Sequence, residues 1–180
     1  MPALLLAAPV RVVSLKTPFG WLAASFREQR CREIRFGYEA EHEALSALAE
    51  PCEELLSPRR AGREEGIGPF VEELRRYCRG DRSVDFQTLE LDLECLTPFQ
   101  ARIVECCRGI PFGDTLAYGE LAAAAGRPRA ARAVGNTMAR NRFPLVVPCH
   151  RVVGAGGRLT GFSAPGGLTT KQRLLAHEAK

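Results

Sequence analysis

The spacing of apolar residues changes period several times along the chain, and each change marks an element. In "VVSLKTPFGWLAASFREQRCREIRFG" two apolar, β-prone runs surround a charged centre. That pattern predicts a strand, a turn at "TPFG", a second strand, a charged turn and a third strand. "EAEHEALSALAEPCEELL" repeats its apolar residues at helical spacing and predicts one or two helices broken near Pro51. "SPRRAGREEGIGPF" is polar and glycine-rich, which predicts a loop. "FVEELRRYCRG" predicts a short helix closed by Gly80. "DFQTLELDLECL" alternates and reads as an edge strand or an extended linker. This half reads as α/β and carries no recognisable chemical motif.

From Leu96 the pattern becomes mostly helical. Thr97 is a good N-cap, Pro98 suits the first helical position, and Gln100 stands three residues after the cap. "PFQARIVECCRGI" follows, with Phe99, Ile103, Val104 and Cys107 on one face. "PFGDT" is a turn. "AYGELAAAAG" predicts a short helix ended by Gly126. "RPRAARAVGNTMARN" predicts a second helix opening at Pro128. Two short helices joined by a glycine-bearing turn make a helix-turn-helix pattern. Arg129, Arg132 and Arg140 give the second helix charge for phosphates, while Ala130, Ala131 and Ala133 let it approach a groove closely. A basic, solvent-facing helix is the plainer reading of the same residues.

Composition narrows the class. The chain has 180 residues, 46% of them hydrophobic and 26% charged, ordinary for a globular protein with a real core. A net charge of +4 does not by itself demand a nucleic-acid partner, so such a claim needs a local basic surface. "PALLLAAPV" is too short to span a membrane and lacks the flanks of a signal peptide, so a cytoplasmic, membrane-free protein is expected. Seven cysteines without CxxC spacing argue against a disulfide framework. Cys31, Cys52, Cys78, Cys95, Cys106 and Cys107 read as small hydrophobic filler. Zinc held by the early cysteines and His42 fits no familiar ligand spacing.

The chemistry concentrates in "NRFPLVVPCHRVVG", Asn141 to Gly154. "LVV" reads as a buried strand that Pro148 ends or bends, which leaves Cys149 at its tip. His150 points to the opposite side of an extended segment, yet can reach the thiol through a bridging water if the backbone turns there. A thiol needs a base or positive surroundings to act as a nucleophile. Cys-His adjacency alone does not decide between catalysis and core packing.

"PCHRVVG", with "RPRAARAVGN" and "RN" before it and "LTGF…GGL…K…LLAHE" after it, resembles the O6-alkylguanine-DNA alkyltransferases, also known as methylated-DNA–protein-cysteine methyltransferases. The resemblance is strong from Thr97 to Glu178 and weak before that. It implies an α+β protein. A ribonuclease-H-like α/β supporting domain over 1–94 would precede a mostly helical, winged-helix-like domain over 95–180 that binds DNA and takes up the alkyl group. It implies suicide repair: Cys149 accepts the alkyl group of O6-alkylguanine from double-stranded DNA and is spent. No cofactor and no metal are implied, and a monomer is expected. His150 would accept the Cys149 proton through a water, Glu178 would stabilise the imidazolium, and Asn141 would hold the active-site turn. Arg132 would fill the stack vacated by the flipped base, with Ala130, Ala131 and Arg140 on the same minor-groove face. Tyr118 would crowd the 3′ phosphate and donate to the flipped purine. The carbonyls of Cys149 and Val152 would receive the guanine amino group, and the Ser163 N–H would bind O6.

The sequence also departs from the family pattern. Arg142 follows the hinge asparagine where many relatives have proline, Phe162 stands where tyrosine is common, and "FSAPGGL" is about two residues longer than the usual form. "KQRLLAHE" reads as a helix whose Leu174 and Leu175 dock it on the core, burying Glu178 beside His150. Two other classes stay open: a non-catalytic binder or sensor of alkylated DNA, and an unrelated thiol hydrolase using Cys149 and His150.

Overall fold

The computed structural model describes residues 8–179, so the apolar run "PALLLA" lies outside the described residues. The three strands expected near the start form as β1 (Val10–Thr17), β2 (Gly20–Arg27) and β3 (Arg30–Tyr38). β1 and β2 pair antiparallel along their whole length, from Val10↔Arg27 to Thr17↔Gly20. Gly20 has a φ of +116°, and a Cβ there would come within 2.8 Å of the Tyr38 carbonyl oxygen. Only glycine closes this hairpin without displacing the end of β3.

The next segment corrects the expectation from periodicity. α1 (Glu41–Ser46) is a short helix, and Glu54–Leu56 forms a strand, β4, rather than a second helix. β4 runs parallel to β1 and completes a sheet of order β3-β2-β1-β4. The free edge of β1 recruits a sequence of weak β propensity, and tertiary pairing overrides the local preference. The expected loop "SPRRAGREEGIGPF" contains a helical turn, α2 (Pro58–Ala61), capped by Ser57, and the start of α3. α3 (Gly68–Cys78) turns Phe70, Val71, Leu74 and Tyr77 inward.

The alternating stretch after α3 is an extended linker with a single bridge to β3. The Cys31 N–H donates to Glu90 O at 2.8 Å, and the Asp92 N–H donates to Cys31 O at 2.9 Å. Further along the same edge, the Ile34 N–H donates to Arg142 O at 2.7 Å. The sheet of the first half therefore grips the hinge that precedes Cys149.

α4 (Pro98–Arg108) has the expected capping box: Thr97 Oγ1 accepts from the Gln100 N–H, and Gln100 Oε1 accepts from the Thr97 N–H. A two-residue strand, β5 (Leu116–Ala117), leads into α5 (Tyr118–Ala124). Gly126, at φ +83°, turns the chain, and the Arg127 N–H satisfies Ala122 O at 2.9 Å. α6 is Ala131–Ala139, shorter than predicted. Arg129 precedes it, Ala130 is its N-cap and Arg140 its C-cap, since Pro128 belongs to the turn rather than to the first helical position.

"LVV" is not a strand. Leu145 has a φ of +73°, and Val147 N–H bonds back to Phe143 O at 2.8 Å. Pro144 and Pro148 each remove a ladder donor, so this buried apolar run makes a compact turn instead. A 3-10 turn at Cys149–Arg151 follows, then β6 (Val152–Val153), parallel to β5. α7 (Gly167–Glu178) closes the chain, with Leu174 fully buried and Leu175 half-buried. One continuous core joins both halves, from Phe26, Phe70 and Tyr77 to Ile103, Leu121, Val147 and Leu174. Cys31 and Cys107 fill it as expected, but Cys52 and Cys95 are exposed and fill nothing.

Candidate active site

The turn after α6 fixes the thiol. Asn141 Oδ1 accepts the Phe143 N–H at 2.9 Å, while Asn141 Nδ2 donates to Val147 O at 2.8 Å and lies 3.1 Å from Cys149 Sγ. One amide side chain thus ties off a turn whose backbone cannot form a ladder and also faces the sulfur. Burial pushes the Cys149 thiol pKa up, while the Asn141 bond and the nearby Lys171 charge pull against that rise. The resting side chain is a thiol, and ionisation needs help from a neighbour.

The 3-10 turn sends His150 and Arg151 into the interior, where both meet Glu178 on α7. His150 Nε2 lies 2.7 Å from Glu178 Oε1. Arg151 makes a two-pronged contact, Nε to Oε2 at 2.8 Å and Nη2 to Oε1 at 3.0 Å, and its Nη1 donates to Ile110 O at 2.6 Å. The Tyr77 hydroxyl donates to Oε1 at 2.7 Å, and the Gly113 N–H donates to Oε2 at 3.3 Å. Burial alone would raise the Glu178 pKa, but the bonds and charges of His150 and Arg151 outweigh it and hold the carboxyl well below its usual range. Burial lowers the His150 pKa, against the opposing pull of Glu178, so the resting ring is neutral. With Nε2 facing a carboxylate, that nitrogen carries the hydrogen and Nδ1 is left as the basic one. Nδ1 is buried and has no hydrogen-bond partner among the described residues.

On its other side Cys149 opens into a cavity of about 640 Å³ lined by Tyr118, Ala131, Arg132, Phe162 and Ser163, among others. Arg132 is exposed on α6, and Tyr118 leads α5, with its hydroxyl accepting from Thr160 Oγ1 at 3.3 Å. Arg127, Arg129, Arg140 and Arg158 are also exposed. A second, narrow opening of about 40 Å³ reaches Cys149 between Ile34–Phe36 of β3 and the 162–165 loop. Ala164 and Pro165 lie there beside β3. Pro165 O accepts from Thr170 Oγ1 at 2.6 Å, which anchors the loop to α7.

Cys149, Tyr118, Ser163, Arg132 and Ala131 therefore converge on one cavity, with His150 and Glu178 on the interior side of the thiol, while Asn141 borders the narrow second opening to Cys149. Ala130 and Arg140 do not line it. Arg140 borders a separate cavity of about 200 Å³ with Asp92, Cys95 and Arg142. Arg142 points toward Phe143 and Cys31 rather than joining the Cys149 cavity. Val152 O already accepts from Lys171 Nζ at 2.6 Å and keeps one further lone pair. Sequence reading missed Lys171, Arg151 and Tyr77. Lys171, Leu174 and Glu178 repeat at helical spacing, and so do Phe70, Leu74 and Tyr77, so an inward face was legible. Arg151 carried no such signal.

Comparison with known proteins agrees with this geometry. The family model "6-O-methylguanine DNA methyltransferase, DNA binding domain" matches residues 98–180. A methylated-DNA–protein-cysteine methyltransferase of Mycolicibacterium paratuberculosis is 44% identical over 71% of this chain and 76% of its own length. Its Salmonella typhimurium counterpart is 45% identical over 62% of this chain and 63% of its own length. Mycobacterium tuberculosis OGT, solved in complex with DNA, superposes with a TM-score of 0.72 at 33% identity, covering 94% of this chain and 93% of that one. Identity at that level, spread over both halves and joined to a Cys-His-Glu set at the mouth of a base-sized cavity, shows that the chain belongs to the O6-methylguanine-DNA methyltransferase family.

Proposed function

We propose that this chain repairs alkylated DNA by moving the alkyl group of O6-alkylguanine onto Cys149, once per molecule. The observation that carries the reading is a buried thiol that faces a base-sized cavity on one side and has a neutral histidine bonded to a fully buried carboxylate behind it. The cavity admits a nucleotide rotated out of the duplex, because O6 of a paired guanine lies on the major-groove edge, out of reach of a thiol buried in a protein docked in the minor groove. Arg132 takes the vacated place in the stack, and α6 approaches through the minor groove, where Ala131 leaves room. Tyr118, Ser163 and the carbonyls of Cys149 and Val152 hold the flipped purine.

The chemistry balances with the chain's own residues. His150 Nδ1 takes the Cys149 proton through a water, and Glu178 remains a carboxylate that stabilises the imidazolium. The thiolate attacks the alkyl carbon, the C–S bond forms, and the C–O6 bond breaks with its electron pair staying on the guanine, which then takes up a proton. A thioether does not reverse this step, so the protein is consumed. Two units, 1–94 and 95–180, divide the labour: the sheet order β3-β2-β1-β4 suits a ribonuclease-H-like support, and α5, α6 and the β5–β6 pair suit a winged-helix-like reader. A monomer suffices, because one chain supplies every group named.

The test is duplex DNA carrying O6-methylguanine, followed by intact-protein mass and peptide mapping. The expected result is one methyl group on Cys149 per protein, with uptake ending at that stoichiometry. Tight binding without a mass change would make the protein a sensor, and continued turnover of an ester or amide would make it a hydrolase.

A further inference from the structure

Tyr77 lies outside the motif-bearing half, yet its hydroxyl ends in the relay. The ring belongs to the inward face of α3, whose other large buried members, Phe70, Val71 and Leu74, are apolar. A phenylalanine would complete the aromatic cluster with Phe19, Phe86 and Phe112 equally well. The hydroxyl does something else. It donates to Glu178 Oε1 at 2.7 Å, the same oxygen and the same distance as His150 Nε2. α7 grips the residue a second time, as His177 Nε2 meets the Tyr77 carbonyl oxygen at 2.8 Å.

We propose that Tyr77 is a positioning residue of the relay: by sharing Oε1 with His150, it sets how strongly Glu178 draws a proton onto the imidazole. The proposal rests on the reading of Cys149, His150 and Glu178 given above. An oxygen that accepts several donors is a weaker partner for each of them. Removing the hydroxyl therefore strengthens the His150–Glu178 bond and makes His150 more basic. The other charged and titratable groups around the pair are Arg151 on the 3-10 turn, Lys171 and His177 on α7, Cys78 on α3, Cys107 on α4, Cys149 itself, and Arg82 beside Gly113. None of these shares Oε1 except Arg151, whose principal prong goes to Oε2.

The experiment is a ring-nitrogen NMR titration of the full chain, which has only three histidines to assign. Wild type is compared with Tyr77→Phe and with 3-fluorotyrosine at position 77, a near-isosteric and stronger donor. In Tyr77→Phe the His150 midpoint is expected to rise by about half a unit to one unit, and alkylation of Cys149 by a small alkyl halide near neutral pH to quicken by the matching ~3- to 10-fold. With fluorotyrosine the midpoint is expected to fall, while distant His42 stays fixed in both. A His150 midpoint that is unmoved, or moves the other way, in a folded fluorotyrosine protein overturns the proposal even if Tyr77→Phe proves too unstable to study. The His150 titration needs no DNA. Failure of the repair reading would appear separately, as wild-type protein that takes no methyl group from the duplex.

Discussion

Behind Cys149, Glu178 accepts hydrogen bonds from four residues of three chain segments and is sealed from solvent. In front of it, Arg132 stands on an open cavity wall with no ion-pair partner among the described residues. The rear is built so that the Glu178 carboxylate is matched before any substrate arrives, because an unmatched charge in the interior costs several kcal/mol. The front is built with its bonding capacity unspent, ready for a polyanion that brings its own charges. Substitutions should therefore damage the two faces in different ways. Rear changes should cost stability as well as rate, while front changes should cost rate on duplex alone.

The largest expected effect is at the boundary between them. Cys149→Ser should abolish methyl uptake and leave DNA binding nearly intact, because a hydroxyl ionises far less readily than a thiol. Demethylation of duplex by the serine protein would remove Cys149 from its role.

Glu178→Gln tests the rear. The conservative change leaves the Arg151 guanidinium buried without its carboxylate, so unfolding should become easier by about 3–5 kcal/mol. This is more than a surface-like C-terminal residue would show, and denaturant melts read it directly. Where the variant remains folded, methyl transfer should slow tenfold or more, because His150 loses the group that stabilises its charge. Wild-type rate and wild-type stability together would mean that the carboxylate is idle.

The same cluster fixes a pH dependence. His150 is held neutral and Glu178 is held ionised, so both fold with depressed pKa values. For each, the unfolded chain binds more protons, so stability rises with pH. Wild-type stability should be complete above about pH 6.5, decline as the unfolded histidine protonates, and decline again below about pH 4.3, where the unfolded carboxyl does. Glu178→Gln should flatten the lower of these two limbs in melts across pH.

Arg132→Ala tests the front. Repair of duplex should fall by about tenfold or more, while transfer from free O6-methylguanine base, which needs no flipping, should be unchanged. Stability should stay within about 0.5 kcal/mol, as for most exposed substitutions. Equal losses on duplex and free base would move Arg132 from the flipping step into the chemistry. The smallest effect is expected at Thr160→Val, which removes the bond that orients the Tyr118 hydroxyl. One neutral hydrogen bond of this kind is worth about 0.5–1.5 kcal/mol, so at the lower end single-turnover rates on duplex should drop by about twofold.

Much of the site was legible along the chain. Local rules reached the three-stranded start, the capping box at Thr97, the turn at Gly126 and the amphipathic α7, because each depends on residues within a few positions of one another. The family resemblance of "PCHRVVG", "RN" and "LLAHE", rather than any local rule, pointed to Cys149, His150, Asn141 and Glu178. The misreadings share a different cause. "CEELL" became a strand because β1, more than forty residues earlier in the chain, offered an open edge. "LVV" became a turn because both prolines denied it a ladder and the surrounding core supplied the burial that an apolar run needs. Arg151 and Tyr77 read as ordinary members of an apolar run and a helix face.

The sequence by itself determined which residues can do chemistry and which helix faces must turn inward, since residue type and periodicity are local properties. Only the tertiary structure decided which of them meet. Tyr77 lies 101 positions from Glu178 and Arg151 lies 27, and no local rule links residues so far apart. What brings them together is one continuous core shared by both halves. Within it a buried carboxylate must be fully matched, and the matching donors come from whichever elements the packing places alongside.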